Sequence, residues 1–388
     1  MKYYLCDKDG NEVSTASSYV AVEMTVSPSE GSPFIYDVPS GKNSWCTPYI
    51  LDVIGTAKTA DGTEYVLDTA EKIDLTKADH RIVPDVDGIW NVDNEYKGIT
   101  YGEYRPDTGV DAKKPLIIWL HGAGEGGDDN YIDLLGNEVT ALSSAEFQKL
   151  FKAGAYVITP QCDTMWMDGG DGQYQNGDKG SMYADDLFEL IDQYVKEHKD
   201  IDPERVIIGG CSNGGYMTME MILKHPDYFY KAYPICEAYY DEYITDEQIA
   251  ALKKGGIEIW FTYAENDTTV DPTLTSIPTA ERMKKAGITV HMSVWSDVHD
   301  TTGRFTNEDG TPYQYAGHWS WIYFDNNENY CTSCTDSLNE WKWMAAYETD
   351  TDTPADTSDP TDLMLWGGIA MLAAGAAVTA MAFRRREN

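Results

Sequence analysis

The sequence predicts an α/β region, a mostly parallel central sheet flanked by helices, preceded by a small all-β sandwich and followed by a C-terminal transmembrane helix. Three observations carry this. Between residues 92 and 347, continuously apolar segments alternate with stretches of helical periodicity, the pattern of a parallel sheet covered on both faces. Up to about Asp85 the chain shows β-branched and aromatic runs punctuated by Gly, Pro, Ser and Asn. From Leu363 to Phe383 runs an apolar stretch of about the 20 residues needed to cross a hydrocarbon core.

The elements follow in order. In residues 1–85, "SYVAVEMTVS", "PFIYDV", "TPYILDVIGTAKT" and "TEYVLDTAEKIDL" read as the strands of the sandwich. Pro115 to Leu120 is a buried strand that ends in His121-Gly122, and Ala155 to Pro160 is a second. Ser181 to His198 reads as a helix with Met182, Leu187, Leu190, Ile191, Tyr194 and Val195 on one face. Arg205 to Gly210 is a strand running into a helix that reaches about His225. Ile257 to Ala264 and Ile288 to Trp295 are further strands, with a helix between them that stops at Gly287. Residues 348–362 form a Thr-, Asp- and Pro-rich spacer, 363–383 the membrane anchor and 384–388 a basic tail. Arg384, Arg385 and Arg386 stay on the cytoplasmic side, so everything ahead of the anchor is expected to face outward. The N-terminal "MKYYLCDKDGNEVS" has no apolar signal region, and an export signal missing from this end is expected ahead of it.

A net charge of −36 spread along the chain repels nucleic acid and excludes it as a partner. Of seven cysteines, Cys331 and Cys334 form a C-x-x-C. A redox pair, half a zinc site, a local disulfide and two unpaired thiols all fit that spacing. Neither a second C-x-x-C nor an H-x-x-x-H lies nearby, so no metal is assigned.

The chemistry concentrates at four places. Gly210-Cys211-Ser212-Asn213-Gly214 is a G-x-S-x-G between an apolar strand and an amphipathic helix, the context a nucleophile elbow requires. There Ser212 stands clear of the sheet and the amide of Asn213 faces the substrate oxyanion. His121-Gly122-Ala123-Gly124-Glu125 follows a strand, and small residues let the amides of Ala123 and Gly122 serve as further oxyanion donors. The serine needs a base, and of seven histidines His318, in "YAGHWSWIYF", is preferred over His299 because both lie beyond the last strand and His318 follows a glycine in a loop. Asp267, in "AENDTTVDP", is the acid that orients the base, with Asp271 as its alternative. Gln161 and Trp166, after the second strand, and Trp319, beside the base, are candidate substrate-binding residues at the cleft.

Together "IDPERVIIGGCSNGG", "HGAGEGG", "AENDTTVDP" and "GHWSW" resemble bacterial α/β-hydrolase esterases of the polyhydroxybutyrate-depolymerase and feruloyl-esterase branch, to which prolyl-oligopeptidase-like hydrolases are related. The β-rich N-terminus is similar to the immunoglobulin-like module attached to some of these enzymes. The resemblance implies ester hydrolysis through an acyl-enzyme, with no metal or organic cofactor and a small-molecule or polysaccharide-linked ester as substrate. Spacer, apolar run and basic tail resemble surface anchors of Gram-positive bacteria without their sorting pentapeptide. They imply a cell-surface enzyme held by one C-terminal span. A serine peptidase of prolyl-oligopeptidase type and a non-catalytic surface adhesin are the competing readings.

Overall fold

A computed structural model of the chain describes residues 2–23, 32–37, 41–59, 61–347 and 382–384. By its contacts the chain divides into two units. One comprises residues 1–33, 46–82 and 346–388, and the other 34–45 and 83–345.

The first six strands are β1 (Lys2–Cys6), β2 (Tyr19–Glu23), β3 (Phe34–Asp37), β4 (Lys42–Trp45), β5 (Tyr49–Lys58) and β6 (Glu64–Ile73). In the first unit β1 pairs antiparallel with β2, and β5 with β6, while a short strand at Ala382–Arg384 lies antiparallel to β5. The unit is therefore β-rich, as its composition implies. The expected boundary near Asp85 lies close to the division after Ile82. The hairpin β3–β4, which the sequence reading placed in the N-terminal sandwich, instead groups with the second unit. Most of the apolar run 363–383 lies outside the described residues, and its end, Ala382 and Phe383, sits in the short strand. Among the described residues no helix is long and apolar enough to cross a membrane.

The second unit is built on β7 (Asn91–Tyr96), β8 (Ile99–Tyr104), β9 (Lys114–Leu120), β10 (Tyr156–Gln161), β11 (Ile201–Cys211), β12 (Lys231–Ile235), β13 (Glu258–Ala264) and β14 (Thr289–Trp295). They form one eight-stranded sheet in the order β14-β13-β12-β11-β9-β10-β8-β7. β14 through β10 are parallel, while β8 and β7 join antiparallel at one edge. The helices are α1 (Asn130–Gly136), α2 (Ala145–Gln148), α3 (Ala184–Glu197), α4 (Asn213–Lys224), α5 (Asp246–Gly255), α6 (Ser276–Lys285), α7 (Trp321–Asp325) and α8 (Glu340–Ala345).

Strand periodicity explains why β9, β10, β12 and β13 carry no exposed face. Side chains alternate between the two sides of a sheet, and here both sides are covered. On β9, Leu116, Ile118 and Leu120 enter one core, with residues of α3, α4, α5 and α6. Ile117 and Trp119 enter the other, with Leu134, Val139, Phe147 and Trp341. Every residue of β9 is buried, which is why the sequence shows a solid apolar run rather than an alternation. The helix α3 buries Leu187, Leu190, Ile191 and Tyr194. The helix α5 starts in a capping box of Thr245 with Gln248 and stops at Gly256, whose φ of 82° suits glycine.

Candidate active site

The strand β11 ends at Cys211, α4 starts at Asn213, and Ser212 alone makes the turn between them. Its φ of 55° and ψ of −113° lie where L-residues are strained. The turn is held from both sides, because the Ser212 N–H donates to the Ile235 carbonyl at 2.8 Å and its own carbonyl accepts from the Tyr216 N–H at 2.8 Å. Two glycines permit this. A Cβ on Gly210 would lie 2.1 Å from the Leu120 carbonyl oxygen, and one on Gly214 1.8 Å from the same atom. The elbow is thus pressed against the end of β9, where the His121-Gly122 turn begins.

His318 lies in the loop before α7, 8% exposed. Its Nε2 is 2.7 Å from Ser212 Oγ and its Nδ1 2.7 Å from Asp267 Oδ2. The other carboxylate oxygen of Asp267 accepts the N–H groups of Thr269 at 2.8 Å and Val270 at 3.0 Å. The carboxylate is therefore fixed by backbone on one side and aims its free oxygen at the imidazole. A Cβ on Gly317 would come within 2.3 Å of Asn266 Oδ1, so the glycine ahead of the base lets its loop close on the loop of the acid. The alternatives go elsewhere. His299 Nδ1 pairs with Asp297 Oδ1 at 2.6 Å, and Asp271 Oδ1 accepts from Thr273 within its own turn. The structure brings Ser212, His318 and Asp267 into one hydrogen-bonded line and leaves His299 and Asp271 outside it.

The predicted oxyanion donors flank this line. Asn213 is the first residue of α4, so its N–H has no partner within the helix. Ala123 opens a single 3-10 turn, Ala123–Glu125, and its N–H likewise meets no acceptor among the described residues. The Gly122 N–H points instead toward Asn137 Oδ1 at 3.4 Å, which favours Ala123 over Gly122 as the loop's donor. His121 holds this loop from beneath. It is fully buried, and burial pushes its pKa down to about 4, which keeps the ring neutral. Its Nε2 accepts the Cys162 N–H at 3.2 Å, so the proton sits on Nδ1 and is donated to the Gly122 carbonyl at 2.5 Å.

Two expected substrate contacts are corrected. Gln161 is 1% exposed, its Nε2 donating to the Glu125 carbonyl at 2.7 Å and its Oε1 accepting from Asn130 at 2.9 Å. Trp166 is fully buried, 5.0 Å from the His121 ring. Both support the oxyanion loop from inside rather than face a cleft. Trp319 is 40% exposed beside the base and packs near Tyr315 and Trp321, each 6.1 Å away, so it remains free to meet a ligand.

Sequence reasoning missed a clasp on the loop's outer side. From β4, Asn43 Nδ2 donates to Glu125 Oε1 at 2.7 Å, Lys42 Nζ to the Asp163 carbonyl at 2.6 Å, and Trp45 Nε1 to Asp129 Oδ2 at 2.7 Å. Glu125 is buried, and burial raises its pKa to about 7, with the Asn43 donor pulling it back down. No local motif marks this residue set, because each bond joins β4 to a segment more than 80 positions away.

A thermostable esterase of known structure superposes with a TM-score of 0.61 at 22% identity, over 84% of this chain and 83% of that one. The second unit has an α/β-hydrolase fold. The Ser212 turn follows β11, in the middle of the sheet, and Asp267 and His318 come from loops beyond the carboxyl ends of β13 and β14. Residues 164–266 of the chain match the model of the prolyl oligopeptidase family. A ferulic acid esterase matches at 14% identity over 58% of this chain and 88% of that one, with a TM-score of 0.41. The acylaminoacyl peptidase of Pyrococcus horikoshii matches at 17% identity over 52% and 36%, with a TM-score of 0.34. No curated protein matches the chain.

Proposed function

We propose that the protein is a serine hydrolase that cleaves carboxylic esters through an acyl-enzyme. The observation that carries this is the unbroken relay from Ser212 Oγ through His318 to Asp267, with two hydrogen bonds of 2.7 Å. In the first half-reaction the Ser212 hydroxyl gives its proton to His318 Nε2 as Oγ bonds to the ester carbonyl carbon. The carbonyl π pair moves onto oxygen, where the N–H groups of Asn213 and Ala123 stabilise it, each worth about 3 kcal/mol in such sites. The imidazolium is stabilised by donating Nδ1–H to Asp267 Oδ2. Collapse of the intermediate breaks the bond to the alcohol, which leaves with the proton from Nε2. Water then repeats the sequence in reverse and frees the acid.

Acyl esters of extracellular carbohydrate or phenolic groups are the proposed substrates. This rests on the esterase resemblance of the motifs, on exposed Trp319 beside the base, and on the apolar run before Arg384 that is read as a surface anchor. The match of residues 164–266 to the prolyl oligopeptidase family model supports a peptidase as the second reading. Acetyl, butyryl and feruloyl p-nitrophenyl or methyl esters, assayed beside a short peptide anilide, separate the two. Ester turnover that disappears in Ser212→Ala is expected; turnover confined to the anilide, or an unchanged Ser212→Ala variant, rejects the proposal.

A further inference from the structure

Away from the elbow, at the edge strand of the sheet, stands a second cluster of chemically potent groups. His291 on β14, Cys331 and Cys334 place their ligand atoms within 4.8 Å of one another. His291 Nδ1 is 3.3 Å from Cys334 Sγ and 3.9 Å from Cys331 Sγ. The two cysteines are joined as a disulfide with their Cα atoms 5.4 Å apart. Residues that bind a metal through two thiolates and an imidazole have this composition, and the third member comes from a strand 40 positions earlier in the chain.

The three positions do not depend on the sulfur–sulfur bond for their placement. The segment carrying the cysteines is laced to β14 by hydrogen bonds of its own. The Thr332 N–H donates to the Met292 carbonyl at 2.8 Å, Ser293 Oγ to the Tyr330 carbonyl at 3.0 Å, and the Val294 N–H to Thr332 Oγ1 at 3.3 Å. The imidazole is set by its neighbours, the rings of Trp260 at 5.1 Å and Trp343 at 5.8 Å. A tetrahedral zinc bound by sulfur and imidazole nitrogen holds those atoms roughly 3.6–3.8 Å apart, given its usual bond lengths. The two nitrogen–sulfur separations are already near that range, so only the two sulfurs have to part. Cys331 is buried, whereas Thr332 and Ser333 are exposed, which leaves the fourth direction toward solvent.

We infer that His291, Cys331 and Cys334 form a redox-gated site for a soft divalent cation of the zinc class, closed as a disulfide when oxidised and open to metal when reduced. Opening takes two electrons and two protons and gives two thiols: a pair of reductant thiols supplies both and becomes a disulfide, whereas a phosphine supplies the electrons and becomes its oxide while water supplies the protons and the oxygen. Binding then releases both protons as the thiolates coordinate beside the neutral imidazole, and water completes the set. In either state the cluster clips the segment around Cys331 against β14, an edge strand whose free backbone groups otherwise invite pairing with another chain.

Cobalt(II) titration of the full chain tests this, before and after reduction with a phosphine in anaerobic buffer. The expected result is no binding to the oxidised protein. After reduction, one equivalent should give thiolate-to-cobalt charge transfer and the visible bands of a four-coordinate ion, displaced by one equivalent of zinc. His291→Phe keeps the ring packing and the disulfide, so it folds as the parent does. It should weaken binding by at least roughly tenfold, because losing a ligand costs more than losing a ligand's supporting partner. The Cys331→Ser/Cys334→Ser chain should show no thiolate band. The inference is overturned if that double variant keeps the spectrum, which would assign the metal to the other cysteines. It is equally overturned if the reduced chain shows two new titratable thiols and no cobalt band, if His291→Phe binds as tightly as the parent, or if the disulfide resists reduction in the folded protein.

Discussion

Replacing Asp267 with Asn tests the relay where the geometry is most explicit. In the native site Oδ1 of Asp267 accepts two backbone N–H groups, at 2.8 and 3.0 Å, and Oδ2 faces His318 Nδ1 at 2.7 Å. An asparagine has one oxygen and one NH2. Its oxygen has to stay with the amides of Thr269 and Val270, since turning the NH2 toward them would leave two N–H donors facing a third. The NH2 then faces His318 and forces Nδ1 to be the acceptor, which puts the ring proton on Nε2. That nitrogen stands 2.7 Å from Ser212 Oγ and is left unable to take the serine proton. Size and shape are unchanged, so the fold is retained. The expected loss is about 10⁴-fold in kcat, the effect of a tautomer reversal in such a relay, or ~5.4 kcal/mol of barrier. Stopped assays with a p-nitrophenyl ester measure it, alongside fluorophosphonate labelling, which should slow in parallel. A folded Asp267→Asn enzyme within tenfold of the parent would refute the reasoning about which oxygen faces the base.

Further expectations follow from other features. Gly214→Ala places a Cβ 1.8 Å from the Leu120 carbonyl and should cost about 3 kcal/mol or more in urea unfolding, with activity lost in proportion to the folded fraction. Asn43→Leu removes the donor to Glu125 Oε1 and should lower kcat roughly tenfold, ~1.4 kcal/mol, with KM little changed, because the oxyanion loop loosens while the substrate surface stays; a KM effect alone would count against a role in positioning. Trp319→Ala should raise KM for aryl esters more than for acetyl esters, and equal changes for both would remove Trp319 from the binding surface. Stability should fall by about 4 kcal/mol between pH 6.5 and 8. Burial raises Glu237 and Glu340 to about 8 and Glu125 to about 7, from 4.5, so their contribution is complete below pH 4.5 and is lost as pH climbs through the folded values. His121, lowered from 6.5 to about 4, acts in the opposite sense but only below pH 6.5. A denaturation midpoint that rises over that interval would contradict this assignment of buried charge.

The parts of this site that could be read from sequence are those whose physics is local. The glycines flanking Ser212, the glycine before His318 and the turn after Asp267 each mark a tight approach or a required backbone shape within a few residues. The continuous apolar character of β9 and β13 reports that both faces of those strands are covered, and that fixes the fold class. What escaped depends on direction and on distance along the chain. Position at and just beyond the end of β10 says that Gln161 and Trp166 are near the site but not whether they point into it or beneath it, and both point beneath. The clasp of Lys42, Asn43 and Trp45 and the pairing of His291 with the C-x-x-C arise only when segments far apart in sequence are brought together. The strand β3 was legible in "PFIYDV" while β4, Lys42–Trp45, was not, and a strand pattern does not say which body the hairpin will join.

The route of that hairpin bears on how the chain is dissected. Residues 34–45 sit with the second unit, while the stretches on either side of them sit with the first. A gene fragment opening at Val83 therefore encodes the second unit short of two of its own strands, and the three donors they supply go with them. Recombination at a single junction cannot exchange the N-terminal module for another, because the incoming piece must bring a matching pair of strands. A linear map of the gene draws the two bodies as separable cassettes, whereas residues 34–45 of the second lie inside the span of the first.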